Sequence, residues 1–188
     1  MSASAAELRR EVLEVVRRLG YVRRDQAFQL SSGGWSHDYV DGKRALAGGA
    51  ELRLAAEAVV ATAAERGVAF DAVGGLTMGA DPLAHAVAVV SGARWFSVRK
   101  EAKDHGAGGR VAGALGPGDR VVVTEDAVTR GASPLEAVRV VREVGAEVVG
   151  VVAVVDRGGT CAALLEPEGI PFTALVTAPD LGFAYEGA

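Results

Sequence analysis

The sequence predicts an α/β fold in which a largely parallel sheet is covered by helices. Short β-branched runs such as Val121–Val123 suit buried strands, and helical patterns alternate with them along the chain. Hydrophobic residues make up 49% of the 188 residues and aromatic residues only 5%, so Val, Ala and Leu should form the core. Glycine-rich turns, drawn from 25 glycines, come where the strands should end.

The first 45 residues or so are expected to form a small subregion beside the sheet. Residues 4–19 carry apolar side chains at helical spacing, and Gly20 should end that helix. Residues 28–41 then suggest two short extended segments around a Ser/Gly turn. An Ala-rich helix should follow from about Gly49 to Arg66.

The remaining pattern is that of a doubly wound sheet. Asp81 is predicted as the N-cap of a helix reaching about Val90, with Pro82 in its first turn. A second helix should begin after Ser133 and end near Gly145. We expect one domain, residues 1–188, with residues 1–45 as a part of it. The other predicted elements are strands at Phe70–Val73, Trp95–Val98, Val121–Thr124, Val148–Val155 and Phe172–Val176, and a short helix at Cys161–Leu165.

Composition and charge argue against several classes of protein. The net charge of −4 disfavours non-specific binding to nucleic acid. The longest apolar run, Val148–Val155, is too short to span a bilayer, and the acidic N-terminal stretch is unlike a signal peptide. A single cysteine, Cys161, excludes an intrachain disulfide and suits a reducing compartment. We therefore expect a cytoplasmic protein that binds neither nucleic acid nor membrane.

The most informative stretch is residues 120–134, which predict a strand, an acidic tip, a tight turn and a helix. Glu125 and Asp126 stand where the strand should end. Ser133 is predicted as the N-cap of the following helix, and Glu136 completes a capping box. The free amides at such a helix start favour an anion, and the two carboxylates could hold ribose hydroxyls or a hydrated divalent cation. An ordinary turn with solvated acids is the alternative.

A second stretch, residues 99–110, combines positive charge with glycine. Arg99, Lys100, Lys103 and His105 offer four donors to phosphate, and three glycines follow within four positions. Such a segment has little to bury, so it suits either a lid that closes over a polyanion or a solvated surface loop. The residues alone leave both interpretations open.

The stretch at 120–134 resembles the phosphoribosyl-diphosphate (PRPP) motif of type I phosphoribosyltransferases. The resemblance implies that fold, with a mostly parallel sheet flanked by helices and a small N-terminal hood. It also implies that Glu125 and Asp126 hold the ribose hydroxyls while the following loop wraps the 5′-phosphate. Ala127 is smaller than usual at its place, and Arg130 stands where Thr or Ala is commoner. The implied PRPP site comprises Glu125, Asp126, Ala127, Val128, Thr129, Arg130, Gly131, Ala132 and Ser133.

The stretch Arg99-Lys-Glu-Ala-Lys-Asp-His-Gly is similar to the catalytic loop of orotate phosphoribosyltransferases. In that branch the loop reaches across a homodimer into the neighbouring site. The resemblance therefore implies a homodimer that shares loop 99–110. It further implies diphosphate contacts for Arg99, Lys100 and His105, and catalytic roles for Lys103 and Asp126.

Four further segments extend the resemblance over most of the chain, and one of them runs from Tyr39 through Arg44. Residues 28–33 resemble the substrate segment, although some members have Lys where Ser31 stands. Residues 74–82 resemble the loop beside the diphosphate, although other members place a Lys near Met78. Arg157 matches the residue that, together with Thr129, binds orotate; its planar guanidinium suits a carboxylate.

The implied reaction joins orotate and PRPP to give orotidine 5′-monophosphate and diphosphate, a step of pyrimidine synthesis. Mg²⁺ is the implied cofactor, held mainly by PRPP and not directly by protein side chains. One alternative is a non-catalytic PRPP-sensing regulator on the same fold. Another is a phosphoribosyltransferase for a different nucleobase; Arg157 argues against a purine, which carries no carboxylate.

Overall fold

The structure is a computed structural model that describes residues 3–29, 33–103 and 109–186, with only the backbone described for Lys103. A six-stranded sheet forms its centre, and a separate two-stranded sheet lies in the N-terminal part. The strands are β1 (Tyr21–Gln29), β2 (Trp35–Val40), β3 (Ala72–Leu76), β4 (Arg94–Lys103), β5 (Gly109–Gly113), β6 (Arg120–Val128), β7 (Glu147–Asp156) and β8 (Phe172–Thr177). The helices are α1 (Ala5–Val15), α2 (Gly42–Ala45), α3 (Gly49–Glu65), α4 (Asp81–Ser91), α5 (Ala132–Glu143), α6 (Cys161–Leu165) and α7 (Ala178–Leu181).

The six-stranded sheet has the order β5-β4-β3-β6-β7-β8, and all its neighbouring pairs are parallel except β4 with β5. Successive residues of β6 point to opposite faces: Val122 packs in a core with α1, α3 and α4, while Val121 and Val123 pack in a core with α5 and α6. The predicted mostly parallel sheet, flanked by helices, is confirmed. Among the described residues, no helix is both long and apolar enough to cross a membrane.

The N-terminal subregion contains two extended segments, as the sequence predicts, but the first begins at Tyr21 instead of near Phe28. Strands β1 and β2 pair antiparallel, and the Ser/Gly turn between them includes residues 30–32, which lie outside the described residues. Helix α1 begins with a capping box between Ser4 and Glu7. A single π-helical turn, Val16–Gly20, then connects α1 to β1.

Two strands are longer than predicted. Strand β6 does not end at Thr124 but runs to Val128, because β7 continues the ladder beside it as far as the pair Val128–Asp156. Glu125 and Asp126 therefore lie within a central strand. Strand β4 runs to Lys103, where it pairs with Gly109, so residues 99–103 and 109–110 are not a loop. Backbone hydrogen bonding in this edge hairpin does not require apolar side chains.

Two helix starts also differ from the prediction. Gly131, with φ of 80°, is the N-cap of α5, so Ser133 lies inside the helix and makes no capping bond. Glu136 pairs with Arg110 and closes no capping box. Asp81 is the first residue of α4 instead of its cap, and its carboxylate accepts a hydrogen bond from Ser97 Oγ at 2.7 Å. In addition, β3 begins two residues later than the strand predicted at Phe70–Val73.

Candidate active site

Two neighbouring carboxylates form the floor of the candidate site. Glu125 and Asp126 are each only 6% exposed, although acids in strands usually face water. Both carboxylates lie against Gly79, since a β-carbon there would collide with an oxygen of each. The backbone at residue 79 can approach them only because it carries no side chain. The sheet thus brings the two acids under the loop that follows β3.

Burial has a strong effect on the ionisation of this pair. Loss of water, reinforced by a hydrogen bond with Asp126 and by its charge, raises the pKa of Glu125 to about 8. Lys43 opposes the rise because its positive charge favours the carboxylate form. Burial therefore favours the protonated form of Glu125 in the free protein.

Lys43 reaches this pair from α2. Its Nζ atom lies 3.1 Å from Oδ2 of Asp126. Burial lowers the pKa of Lys43, but the charge and hydrogen bond of Asp126 outweigh it, so that the pKa is raised. Lys43 lies in the segment from Tyr39 through Arg44 that resembles the family, but the sequence assigned it no role, because no pattern connects positions that lie 83 residues apart.

The loop between β6 and α5 encloses an anion-sized cavity. Residues 127–134 line a volume of about 320 Å³ at the start of α5. Gly131 takes up a left-handed conformation there as the N-cap of α5, and the first amides of a helix have no partner within it. The loop is fixed from behind, because Thr160 Oγ1 donates a hydrogen bond of 3.1 Å to the carbonyl of Thr129. Arg130 is exposed on this loop.

A second cavity, also of about 320 Å³, adjoins the first and shares Ala127 and Ser133 with it. The carboxylates lie in it, and positive charge comes from α2 and β4. This arrangement offers an anionic floor, flanking ammonium groups and a neighbouring amide cradle, which suits a phosphorylated sugar. The cavity is lined by Lys43, Leu76, Thr77, Met78, Gly79, Lys100, Glu125, Asp126, Ala127 and Ser133.

Arg157 follows β7 directly and is only 7% exposed. Its amide donates to the carbonyl of Val128 at 2.8 Å, which places it beside the loop at 129–133. The guanidinium Nη2 donates to the carbonyl of Asp38 at 2.7 Å and pairs with Glu186 at 2.5 Å. Its Nε atom is buried without a partner in the described structure. The carboxylate of Glu186 also accepts a hydrogen bond from Ser36.

Comparison with known proteins identifies the family. No protein-family model matches the chain. An orotate phosphoribosyltransferase of Corynebacterium glutamicum is 41% identical over 179 residues, which cover 94% of this chain and 95% of the relative. One of Aquifex aeolicus is 44% identical over 84% of this chain and 87% of the relative. The chain belongs to the orotate phosphoribosyltransferase family.

A solved structure supports the same assignment. The orotate phosphoribosyltransferase of Mycobacterium tuberculosis H37Rv, in complex with PRPP, matches with a TM-score of 0.78 and 38% identity over 94% of this chain and 99% of that one. The type I phosphoribosyltransferase fold implied by the sequence is therefore confirmed.

Within this orotate phosphoribosyltransferase, the structure brings most of the predicted site residues together. The acids, the loop at 127–133 and Lys100 line the two adjoining cavities. Arg99 instead donates to the carbonyls of Gly109 and Val111 on β5, at 3.3 and 3.4 Å. His105 and Ser31 lie outside the described residues, as does the side chain of Lys103.

Proposed function

We propose that the protein transfers the 5-phosphoribosyl group from PRPP to orotate, which yields orotidine 5′-monophosphate and diphosphate in pyrimidine (UMP) synthesis. The observation that carries the proposal is the junction of the buried acid pair with the amide-lined loop, in a chain of the orotate phosphoribosyltransferase family. We further propose that the chain works as one domain and in the cytoplasm.

The acid pair holds the ribose in this proposal. Glu125 and Asp126 accept hydrogen bonds from the ribose hydroxyls, and the negative charge of Asp126 favours the positive charge that develops on the sugar as the bond to diphosphate breaks. Asp126, which Lys43 keeps paired, is the carboxylate assigned to catalysis. The 5′-phosphate lies in the cavity lined by residues 127–134, where the dipole and free amides of α5 stabilise it.

The departing diphosphate is assigned to the basic residues of β4 and the segment after it. Lys100 lines the cavity with the acids, which supports its role. Arg99, Lys103 and His105 are proposed to complete the contacts when the segment closes and excludes water. Lys103 is the main catalytic cation, since it would stabilise negative charge on the leaving group.

Mg²⁺ is the proposed cofactor. No cluster of three or more His, Cys, Asp or Glu side chains capable of holding a metal ion occurs among the described residues. Mg²⁺ prefers oxygen ligands, and PRPP would supply most of them, so that no protein side chain need hold the ion directly. When bound, the ion neutralises charge on the diphosphate.

Orotate is assigned to the space between Thr129 and Arg157. Arg157 lies at the end of β7 beside the sugar-phosphate loop. Its buried guanidinium is paired with Glu186 through Nη2, whereas Nε has no partner in the described structure and would donate to the carboxylate of orotate. Uracil, which lacks that carboxylate, is expected to react poorly. Purines such as adenine and hypoxanthine are expected not to react.

The test of the function is the fall in orotate absorbance in the presence of PRPP and Mg²⁺, with uracil, adenine and hypoxanthine as controls. Lys103→Ala should lower turnover about a hundredfold or more without loss of structure. Near-normal turnover of that variant would contradict the role of Lys103. PRPP binding in calorimetry without any turnover of the wild type would support the non-catalytic sensor instead.

We also propose a homodimer in which the segment 99–110 serves the neighbouring site. The exposed apolar side chains of Val89, Val90 and Trp95 support an interface on α4 and β4, the strand that carries the first part of that segment. Mixing Lys103→Ala with Asp126→Asn chains should restore roughly a quarter of wild-type activity, because half of the random dimers contain one intact site. A mixture that stays inactive after subunit exchange would show that each segment serves its own chain.

A further inference from the structure

Lys43 lines the cavity that holds Glu125 and Asp126, and its ammonium group can bind more than one acceptor. Its side chain is 57% exposed, whereas that of Asp126, its partner at 3.1 Å, is 8% exposed. An ammonium group has three N–H donors, so the bond to Asp126 leaves others for a second acceptor. The same group lines the cavity that holds both acids.

The position of Lys43 is fixed by its surroundings. A β-carbon on the preceding Gly42 would lie 2.8 Å from Oδ2 of Asp126, so the start of α2 packs directly on that carboxylate. Asp41 caps α2 by accepting from the amide of Arg44 at 3.0 Å, and its own amide donates to the carbonyl of Gly20 at 2.8 Å. The backbone below Lys43 is thereby tied to both β6 and the turn after α1.

The charges around the pocket show what Lys43 contributes. Among the described residues, it makes the one ion pair to either acid. Lys100 on β4 is the other cation in the lining, while Met78 brings no charge to the same wall. Two buried acids without this ammonium would repel an approaching polyanion at close range.

We propose that Lys43 is a PRPP-binding residue that also positions Asp126. Nζ holds the Asp126 carboxylate in place for a ribose hydroxyl and donates a second hydrogen bond to an anionic oxygen on the diphosphate side of PRPP. That side is assigned because the loop at 127–134 takes the 5′-phosphate and Lys43 lines only the adjoining cavity. The inference rests on the proposed function.

The test compares three variants in calorimetry with PRPP and Mg²⁺. Lys43→Met should weaken PRPP binding about fivefold or more, the effect of a lost charge-assisted hydrogen bond. Lys43→Arg should restore most of the affinity. Arg44→Met is the matched control, since it removes the same charge from the next position of α2, where the exposed side chain does not line the cavity, and should leave affinity unchanged.

Kinetics separates positioning from a merely structural effect. Lys43→Met should raise the KM for PRPP and leave the KM for orotate within about twofold. It should also move the acidic limb of the pH profile upward, because the positive charge of Lys43 favours the carboxylate form of Glu125 and is lost in the variant. Asp126 on β6 and Lys100 on β4, the other charged groups that line the cavity, stay in place. Thermal unfolding checks that the variant is folded.

The outcomes are distinct. A weakening below about fivefold, or an equal weakening in Arg44→Met, overturns the role of Lys43 while leaving the proposed function intact. A wild-type protein that binds no PRPP overturns the proposed function itself.

Discussion

Replacing Glu125 with Gln should stabilise the fold and weaken PRPP binding. The side chain is 6% exposed, and its burial raises the pKa to about 8 from an ordinary value of 4.5. Between these two values the folded protein keeps a proton that the unfolded chain releases. The contribution of Glu125 to stability is thus lost as the pH rises through this range.

The expected size follows from proton linkage. Between the unfolded and the folded pKa of Glu125, the folded state binds one more proton than the unfolded state. The free energy of unfolding therefore falls by about 1.4 kcal/mol for each unit by which the pH rises. From pH 6 to pH 8, the free energy of unfolding of the wild type should therefore fall by about 2 kcal/mol more than that of Glu125→Gln. The fall is smaller than the full slope would give, because the dependence on pH flattens near the folded pKa. Titrations of groups that do not interact with Glu125 are common to both proteins and cancel in the difference.

Urea unfolding at pH 6, 7 and 8, followed by tryptophan fluorescence, measures this difference. Glu143→Gln, which changes an exposed acid on α5, is the control and should follow the wild type at each pH. Calorimetry with PRPP should show weaker binding to Glu125→Gln than to the wild type. Parallel stability curves for Glu125→Gln and wild type would refute the reasoning, because they would mean that Glu125 ionises alike in both states.

Three other predictions concern the loop, the base site and the cysteine. Gly131→Ala should destabilise the protein by about 1–3 kcal/mol and weaken phosphate binding. A left-handed φ of 80° is strained for Ala, and the added β-carbon would lie 2.8 Å from Cys161 Sγ. Equal urea midpoints of variant and wild type would contradict this. Glu186→Gln should cost about 3 kcal/mol or somewhat less in urea unfolding, since it removes one partner of a buried ion pair with Arg157; an unchanged stability would show that the pair contributes nothing. Burial raises the pKa of the Cys161 thiol to about 12. Iodoacetamide should therefore leave the folded protein unmodified at pH 8 and alkylate the protein in urea, as measured by mass spectrometry. Rapid labelling of the folded protein would exclude such burial.

The sequence predicted the alternation of strands and helices well, but not where the acid-bearing strand ends. Glu and Asp are depleted in strands, so Glu125 and Asp126 suggested a strand end. In the structure β7 continues beside them, and Gly79 admits the carboxylates into a buried space. The end of a strand thus depends on pairing with neighbouring strands, which local residue preferences cannot predict.

The caps and the long-range contacts were missed for different reasons. Ser133 has the right chemistry for a cap, but Gly131 turns the chain two residues earlier. Lys43 and Glu186 meet partners that lie 83 and 29 positions away along the chain. The contacts depend on how α2 and the segment after α7 lie against the sheet, and neither element leaves a periodic signal that points to its partner.

The burial of the two acids has a consequence for substrate capture. Since folding has already removed most water from Glu125 and Asp126, an arriving sugar need not strip their hydration shells before its hydroxyls can bond. The two carboxyl groups lose their water when the protein folds, before any ligand binds. Affinity for the sugar is thus prepared in advance by the same strand that makes the protein less tolerant of alkaline conditions.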